Sequence, residues 1–347
     1  MIVGITEQPD VVALIPTLGS SPDRLSATID SLTAQSSSAR LAILCVVNAP
    51  EAAMTTSDWP SATVIVTGLN LGWAGALSFA RTLVSAPFLW LIQDDLVCEP
   101  GCLAALLERC EKEPTLALVS PVAIDEDGLM RANSAGGTVD EAGWMLRWLP
   151  ADPTPADQFS SFDELSYVPS RGMLVRTEAW DRVGGMDPRY FPLLWADVDF
   201  CTALARAGLA FALDAEARVH HESGASTPSA LGGFLFYRNR ELYRTKWFPT
   251  HVLPDDRDPS RPSRAEALTG AIDERVPREL IDTVAQSAAD ALLHLGRIHT
   301  RDIERLNAVE AGLRDEREAL REERAALRLT LSWRITAPLR RVRSWWR

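Results

Sequence analysis

Short apolar runs alternate with helix-patterned segments along the first third of the chain. VVALI (Val11–Ile15) precedes a segment through Gln35 in which Leu25, Ile29 and Leu32 share one helical face behind a Pro22-Asp23 start. LAILCVV (Leu41–Val47), TVIV (Thr63–Val66) and FLWLI (Phe88–Ile92) read as buried strands, with a helix from about Trp73 to Val84 between the last two. Pro100 opens a helix carrying Leu103, Leu106 and Leu107, and LALVS (Leu116–Ser120) reads as the strand that follows. Strand and helix in alternation predict β-α-β units and an α/β fold.

The alternation fades between Asp125 and Phe162, where Gly, Pro, Asp and Trp accumulate and irregular strands and loops are expected. Order returns with YVPSRGMLV (Tyr167–Val175), a helix near Thr177–Val183, a Gly184-Gly185 turn and a helix beginning around Asp197. A strand near Phe211–Leu213 leads into His220 and His221. Asp255–Arg264 is polar and broken by proline. The expected division is therefore a catalytic domain over residues 1–250, a linker at 251–264, a helical extension at 265–331 and a basic segment at 332–347. In the extension Leu306, Leu313, Leu320 and Leu327 repeat every seven residues, but Glu310, Arg317 and Arg324 occupy the complementary seam. A weak coiled coil, which would make a homo-oligomer, and a solvated helix laced by charge pairs both account for that pattern.

Charge changes the picture at one end. The 347 residues carry a net charge of −12, so no overall field draws the molecule to nucleic acid. Ser332–Arg347 nevertheless hold five Arg and no acid, leaving 30 basic against 47 acidic residues in the rest. With Trp333, Trp345 and Trp346 this segment predicts contact with an anionic membrane surface, Pro338 dividing it into two short interfacial pieces. Packing of these Trp against the preceding helix or a second subunit is the competing reading. Five Cys without a CxxC pair predict reduced thiols, and no run reaches the ~18 apolar residues of a membrane span. The expected location is cytoplasmic, peripheral on the inner face of the cell membrane.

The sequence has no GxGxxG, GxSxG or HExxH and no phosphate-loop lysine, which directs attention to acids at strand ends. WLIQDDL (Trp90–Leu96) puts Asp94 and Asp95 just past a buried strand, where open α/β sheets bind ligands; capping a turn is the alternative role. Asp197 and Asp199 stand where a loop enters a helix, a position that serves chemistry or simple capping. His220 and His221 at a strand end suit metal ligation or a structural hydrogen bond. Gathered in one crevice, these groups would supply a hard-metal site and a general base suited to a diphosphate leaving group. Oxygen ligands with one imidazole point to Mn²⁺ or Mg²⁺ rather than zinc.

ALIPTL (Ala13–Leu18), NLGWAGALSFA (Asn70–Ala80), WLIQDDLVCEPGCL (Trp90–Leu103), GMLVRTEAWDRVGGMDPRYF (Gly172–Phe191), WADVDFCTALARAG (Trp195–Gly208), AEARVHHESGAS (Ala215–Ser226) and FYRNREL (Phe236–Leu242) follow one another in a familiar order. On these segments the chain resembles the inverting family 2 glycosyltransferases, particularly rhamnosyl- and galactofuranosyl-transferase-like members, over roughly Val11 to Phe248. The resemblance implies a GT-A domain, a Rossmann-like mixed sheet, followed by a helical C-terminal extension. It also implies sugar transfer from a nucleotide diphosphate sugar to a glycan or lipid-linked acceptor, in cell-surface polysaccharide or glycolipid assembly.

Carried over by position, it makes Asp197 the general base and Asp95 and His221 the metal ligands. Pro16, Thr17, Asn48, Asn70, Gly72 and Asp94 fall on the donor side, and Gly172, Trp195 and Asp199 on the acceptor side. His221 is preferred to His220 because Gly224 and Ser226 follow it at the family's spacing. Two positions depart from the pattern: Gln93 stands where the first acid of Asp-X-Asp would be, and Val47-Asn48 replaces an Asp-Asn pair. The competing functions are a nucleotidyltransferase, against which the Trp195–Gly208 segment counts, and an inactive scaffold acting through its helical tail, against which Asp197 and His221 count.

Overall fold

A computed structural model describes residues 8–35, 39–49, 59–140, 143, 146–160, 162–221, 229–249, 286–291, 293 and 297. Its strands and helices run β1 (Val11–Thr17), α1 (Pro22–Thr33), β2 (Leu41–Val47), β3 (Thr63–Val66), α2 (Gly72–Arg81), β4 (Phe88–Leu91), β5 (Leu96–Cys98), α3 (Cys102–Lys112) and β6 (Leu116–Ile124). There follow β7 (Leu129–Met130), β8 (Gly136–Val139), β9 (Leu146–Leu149), β10 (Thr154–Pro155), β11 (Met173–Arg176), α4 (Thr177–Val183), α5 (Ala196–Arg206), β12 (Ala210–His221) and α6 (Ser229–Trp247).

Eight strands form one mixed sheet in the order β3-β2-β1-β4-β11-β6-β12-β5. β1 lies parallel to both β2 and β4 and is buried along its whole length, which is why its sequence reads as an uninterrupted apolar run instead of alternating. Leu25, Ile29 and Leu32 of α1 cover one face of this region, packed in a core with Val11, Ala13, Ile15 and Trp59. Each such side chain contributes about 1.5–3 kcal/mol on burial. β11 runs antiparallel to both neighbours, β4 and β6.

The far edge positions the chemistry. β12 follows β6 in parallel, with a register shift between Asp214 and Arg218, and then pairs antiparallel with β5, setting His221 opposite Leu96. Asp95 immediately precedes Leu96, so the pairing brings it to His221. β5 itself, three residues long, is absent from the sequence expectation.

Other bounds also shift. α2 ends at Arg81 rather than near Val84, and β6 runs four residues past Ser120. β12 is a single twelve-residue strand. Within YVPSRGMLV, Tyr167 makes only an isolated bridge to Gly137. Ordered β11 begins only after Gly172, whose φ of 86° is a backbone state that suits glycine. The five cysteines are all buried and free. Among the described residues no helix is long and apolar enough to cross a membrane. The expected linker, the leucine heptads and the Arg/Trp segment lie outside the described residues.

Candidate active site

A cavity of about 430 Å³ opens at the end of the sheet where β1 and β4 run out. That volume is in the range of small-molecule sites. Ten of the twelve side chains expected from sequence line it: Pro16, Thr17, Asn48, Asn70, Gly72, Asp94, Asp95, Trp195, Asp197 and His221. Gly172 and Asp199 are not among its lining residues.

On the β1 side, Thr17 Oγ1 donates to Asp94 Oδ2 and accepts from Gly19 N at 3.0 Å. Asn48 is buried, and its amide is committed to the backbone: Nδ2 donates to Gly72 O at 3.0 Å and Oδ1 accepts from Leu71 N at 2.7 Å. Asn70 Oδ1 likewise accepts from Gly72 N at 2.8 Å. The two asparagines thus shape the turn into α2. Gly72 itself has φ 69°, and a Cβ there would stand 2.9 Å from Phe191 Cδ2 and from Pro192 O. The opposite wall approaches so closely that only glycine fits.

At the β5 edge, His221 Nε2 lies 3.6 Å from Asp95 Oδ2, with both side chains largely buried at 10% and 16% exposure. Burial, reinforced by the charge of Asp94, pushes the Asp95 carboxyl up to about 6. Burial, then the neighbouring Arg171, pushes His221 down to about 4, leaving a neutral imidazole with a lone pair at neutral pH. Burial also raises Asp94, partly offset by the Thr17 hydrogen bond. A carboxylate beside a neutral imidazole, with a second carboxylate adjoining, is a donor set that suits a divalent cation. Among the described residues no three His, Cys, Asp or Glu side chains converge as a cluster, so Asp94 adjoins the pair without completing one. His220 pairs instead with Glu99, Nε2 to Oε1 at 3.1 Å, away from this pair.

Asp197 lines the same cavity from the first turn of α5. Its Oδ1 accepts from Val198 N at 2.9 Å and its Oδ2 from Ser170 N at 3.4 Å. Burial raises its carboxyl, against the hydrogen bonds of Val198 and Ser170 and the charge of Arg171. The residues before it, Leu194 and Trp195, hold φ values of 74° and 69°, a left-handed state costly for both side chains. Asn239 of α6 pins that loop, its Nδ2 donating to Leu193 O at 2.8 Å and to Leu194 O at 3.0 Å. Trp195 is buried against Phe236 and Tyr243, and its Nε1 has no hydrogen-bond partner among the described residues.

Asp199 corrects the acceptor-side expectation. It is 1% exposed and accepts from Tyr190 Oη at 3.0 Å, Lys246 Nζ at 2.8 Å and Trp247 Nε1 at 2.7 Å. All its capacity ties α6 to the loop before α5. Gly172 is likewise spent on the scaffold: its carbonyl accepts from Trp90 Nε1 at 2.8 Å, and a Cβ would meet Pro121 Cγ at 2.9 Å.

Sequence reasoning passed over Arg171, Asn133, Trp148 and Phe236, which also line the cavity. Arg171 had a legible signal, a charge inside the otherwise apolar YVPSRGMLV. The others come from the irregular 125–162 region and a helix without strong amphipathic bias, where periodicity carries no information.

Comparison with known proteins agrees with this architecture. The model of glycosyl transferase family 2 matches residues 12–184, covering the β1 wall, Asp94, Asp95 and Arg171 and stopping short of Asp197 and His221. O-antigen biosynthesis protein RfbC of Myxococcus xanthus is 24% identical over 245 residues, which make up 68% of this chain but 19% of RfbC. N-acetylglucosaminyl-diphospho-decaprenol L-rhamnosyltransferase of Mycobacterium tuberculosis is 26% identical over 221 residues, 56% of this chain and 69% of that enzyme. Among solved structures, GalNAc-T7 with UDP, GalNAc and Mn²⁺ aligns with a TM-score of 0.51 at 13% identity, covering 71% of this chain and 49% of that one. That likeness is one of fold, and the fold is GT-A. With this sheet and the family match from β1 through α4, the chain belongs to the family 2 glycosyltransferases.

Proposed function

We propose that the cavity takes a nucleotide diphosphate sugar and that the chain transfers its sugar, with inversion, to a hydroxyl acceptor. One observation carries the reading: a half-buried acid, Asp197, and the Asp95–His221 pair line a single cavity of about 430 Å³. A base and a place for the diphosphate in one cavity are what a displacement at an anomeric carbon held between them requires. Asp197 accepts the hydroxyl proton as the acceptor oxygen attacks that carbon, while the bond to the diphosphate oxygen breaks. A single displacement inverts the centre and needs no covalent intermediate. Val198 N and Ser170 N keep the Asp197 carboxylate oriented, and burial raises its affinity for the incoming proton.

Asp95 and His221 would hold a divalent cation, Mn²⁺ or Mg²⁺, which when bound neutralises charge on the departing diphosphate. Thr17 and Asp94 lie on the donor side, and Trp195 on the acceptor side. The rhamnosyltransferase and O-antigen relatives support a hexosyl or deoxyhexosyl transfer onto a glycan or lipid-linked acceptor in polysaccharide assembly. A lipid-linked acceptor gives the Arg/Trp-rich end of the chain a purpose, holding a cytoplasmic enzyme at an anionic membrane surface. Sedimentation with anionic liposomes should then separate the full chain, bound, from one ending at Leu331, unbound. Equal behaviour of the two ends that part of the reading.

The test of the main reading is incubation with a panel of nucleotide sugars in Mn²⁺ or Mg²⁺. Release of nucleoside diphosphate from one donor supports it. Release of pyrophosphate instead would establish the nucleotidyltransferase, and no release from any donor with any hydroxyl acceptor would leave the inactive scaffold.

A further inference from the structure

Arg171 is a cavity-lining cation with almost nothing in the protein to bind. Its one hydrogen bond among the described residues runs from Nη1 to Asn133 O at 2.9 Å, and it forms no ion pair there. That single bond fixes it firmly, because Asn133 is itself held by Tyr167, whose Oη donates to Asn133 Oδ1 at 2.7 Å. A guanidinium carries five N–H donors in a rigid fork, and a poorly solvated one with unused donors is costly unless an anion completes it. Its own acidity registers that cost: burial lowers its affinity for its proton, with Asp197, Tyr167 and Asp95 opposing.

Charge balance in the cavity says which kind of anion. The lining residues include three carboxylates, Asp94, Asp95 and Asp197, against two guanidinium groups, Arg24 and Arg171, so acids outnumber fixed cations around the cavity. A diphosphate is repelled by such a lining except where cations stand. Arg24 lies on the exposed surface of α1, at the rim. Arg171 is only partly exposed and stands two residues before β11, whose first residue, Met173, pairs with Leu91 at the end of β4. Gln93, two residues past the end of β4, also lines the cavity and is neutral.

We propose that Arg171 is a binding residue for the leaving group, its unused N–H groups taking phosphate oxygens of the donor's diphosphate beside the Asp95–His221 pair. This rests on the donor reading above and adds to it a fixed protein cation. Arg171 thereby supplies part of the positive charge at this wall with or without a metal ion.

The test is calorimetric titration of UDP, GDP and dTDP, and of the matching nucleosides, into the full chain in Mn²⁺ and in EDTA. Wild type, Arg171→Met and Arg171→Lys are compared. Charge-assisted bonds of this kind predict a ten- to hundred-fold loss of nucleoside diphosphate affinity in Arg171→Met, in both media, with nucleoside affinity unchanged. Arg171→Lys, which keeps the charge and loses the fork, should recover part of it and guards against misreading a folding defect. Arg171→Met binding the diphosphate within twofold of wild type overturns the proposal, as does an equal loss for nucleoside and diphosphate. So does unchanged diphosphate binding with a raised KM for a phosphate-bearing acceptor, which would assign the charge to the acceptor instead. Wild type binding none of the three nucleoside diphosphates overturns the donor reading together with the proposal.

Discussion

Asp197 and Asp199 share the first turn of α5 and serve opposite sides of it. Asp197 lines the cavity, while Asp199 accepts three hydrogen bonds from Tyr190, Lys246 and Trp247 and is closed to ligands. Two residues along a helix turn a side chain by about 200°, so a pair that looks alike in sequence faces both ways. The cavity acid is available for proton transfer and the other is an anchor, and the two substitutions to asparagine should separate those roles.

Asp197→Asn keeps the shape and hydrogen-bond acceptor at Val198 but cannot take the acceptor's proton. Transfer should fall by about 10²–10⁴-fold with the thermal midpoint little changed. Retention of more than half the wild-type rate would remove Asp197 from the mechanism.

Asp199→Asn should do the reverse. Removing a buried charge that Lys246 and Trp247 depend on costs on the order of 2–3 kcal/mol, moderated because Lys246 keeps Asp187 at 3.1 Å. Urea denaturation should report the loss, and residual activity per folded molecule should stay near wild type.

Replacing Asp95 or His221 with alanine should abolish the difference in nucleoside diphosphate affinity between Mn²⁺ and chelator. His220→Ala should leave it intact, since that ring pairs with half-exposed Glu99. Equal donor affinity of the wild type in the two media would discard the cation site.

Asn239→Ala leaves the carbonyls of Leu193 and Leu194 without their donor beneath a left-handed stretch of backbone. A loss of about 1–3 kcal/mol is expected. Because that loop carries Trp195 and Asp197 into the cavity, kcat should fall as well, and calorimetric melting alongside steady-state kinetics would measure both.

Acid stability should respond to Asp187. Burial pushes its carboxyl up, but hydrogen bonds from Arg189 and Lys246 more than offset this and hold it at about 2. A carboxyl depressed below its unfolded value of about 3.9 stabilises the fold fully above that pH, and the contribution is lost as pH falls through about 2. The wild type should therefore lose on the order of 1–2 kcal/mol more than Asp187→Asn between pH 6 and pH 2. Parallel denaturation curves for the two proteins over that range would disprove the linkage.

Much of the fold was legible because local pattern and environment coincide. β2, β3 and α4 have the bounds expected from their residues, and β1 begins where VVALI begins. A strand sandwiched between helices must be apolar on both faces, and few other elements read that way. The order of motifs likewise put Asp95, Asp197 and His221 at the ends of elements, where a ligand can reach them. Other features depend on partners remote in the chain. β5 is strand only because β12 returns to pair with it, and that same pairing sets His221 against Asp95. The separate fates of Asp197 and Asp199 follow from α6 arriving with Lys246 and Trp247. Asn48 looks like a ligand-binding amide until the turn before α2 uses both of its ends. Periodicity reports which positions of an element are apolar, and so its existence and type. It is silent on which distant group stands opposite a polar side chain, and that opposition, set by packing, separates the residues that hold the fold from those left to meet a ligand.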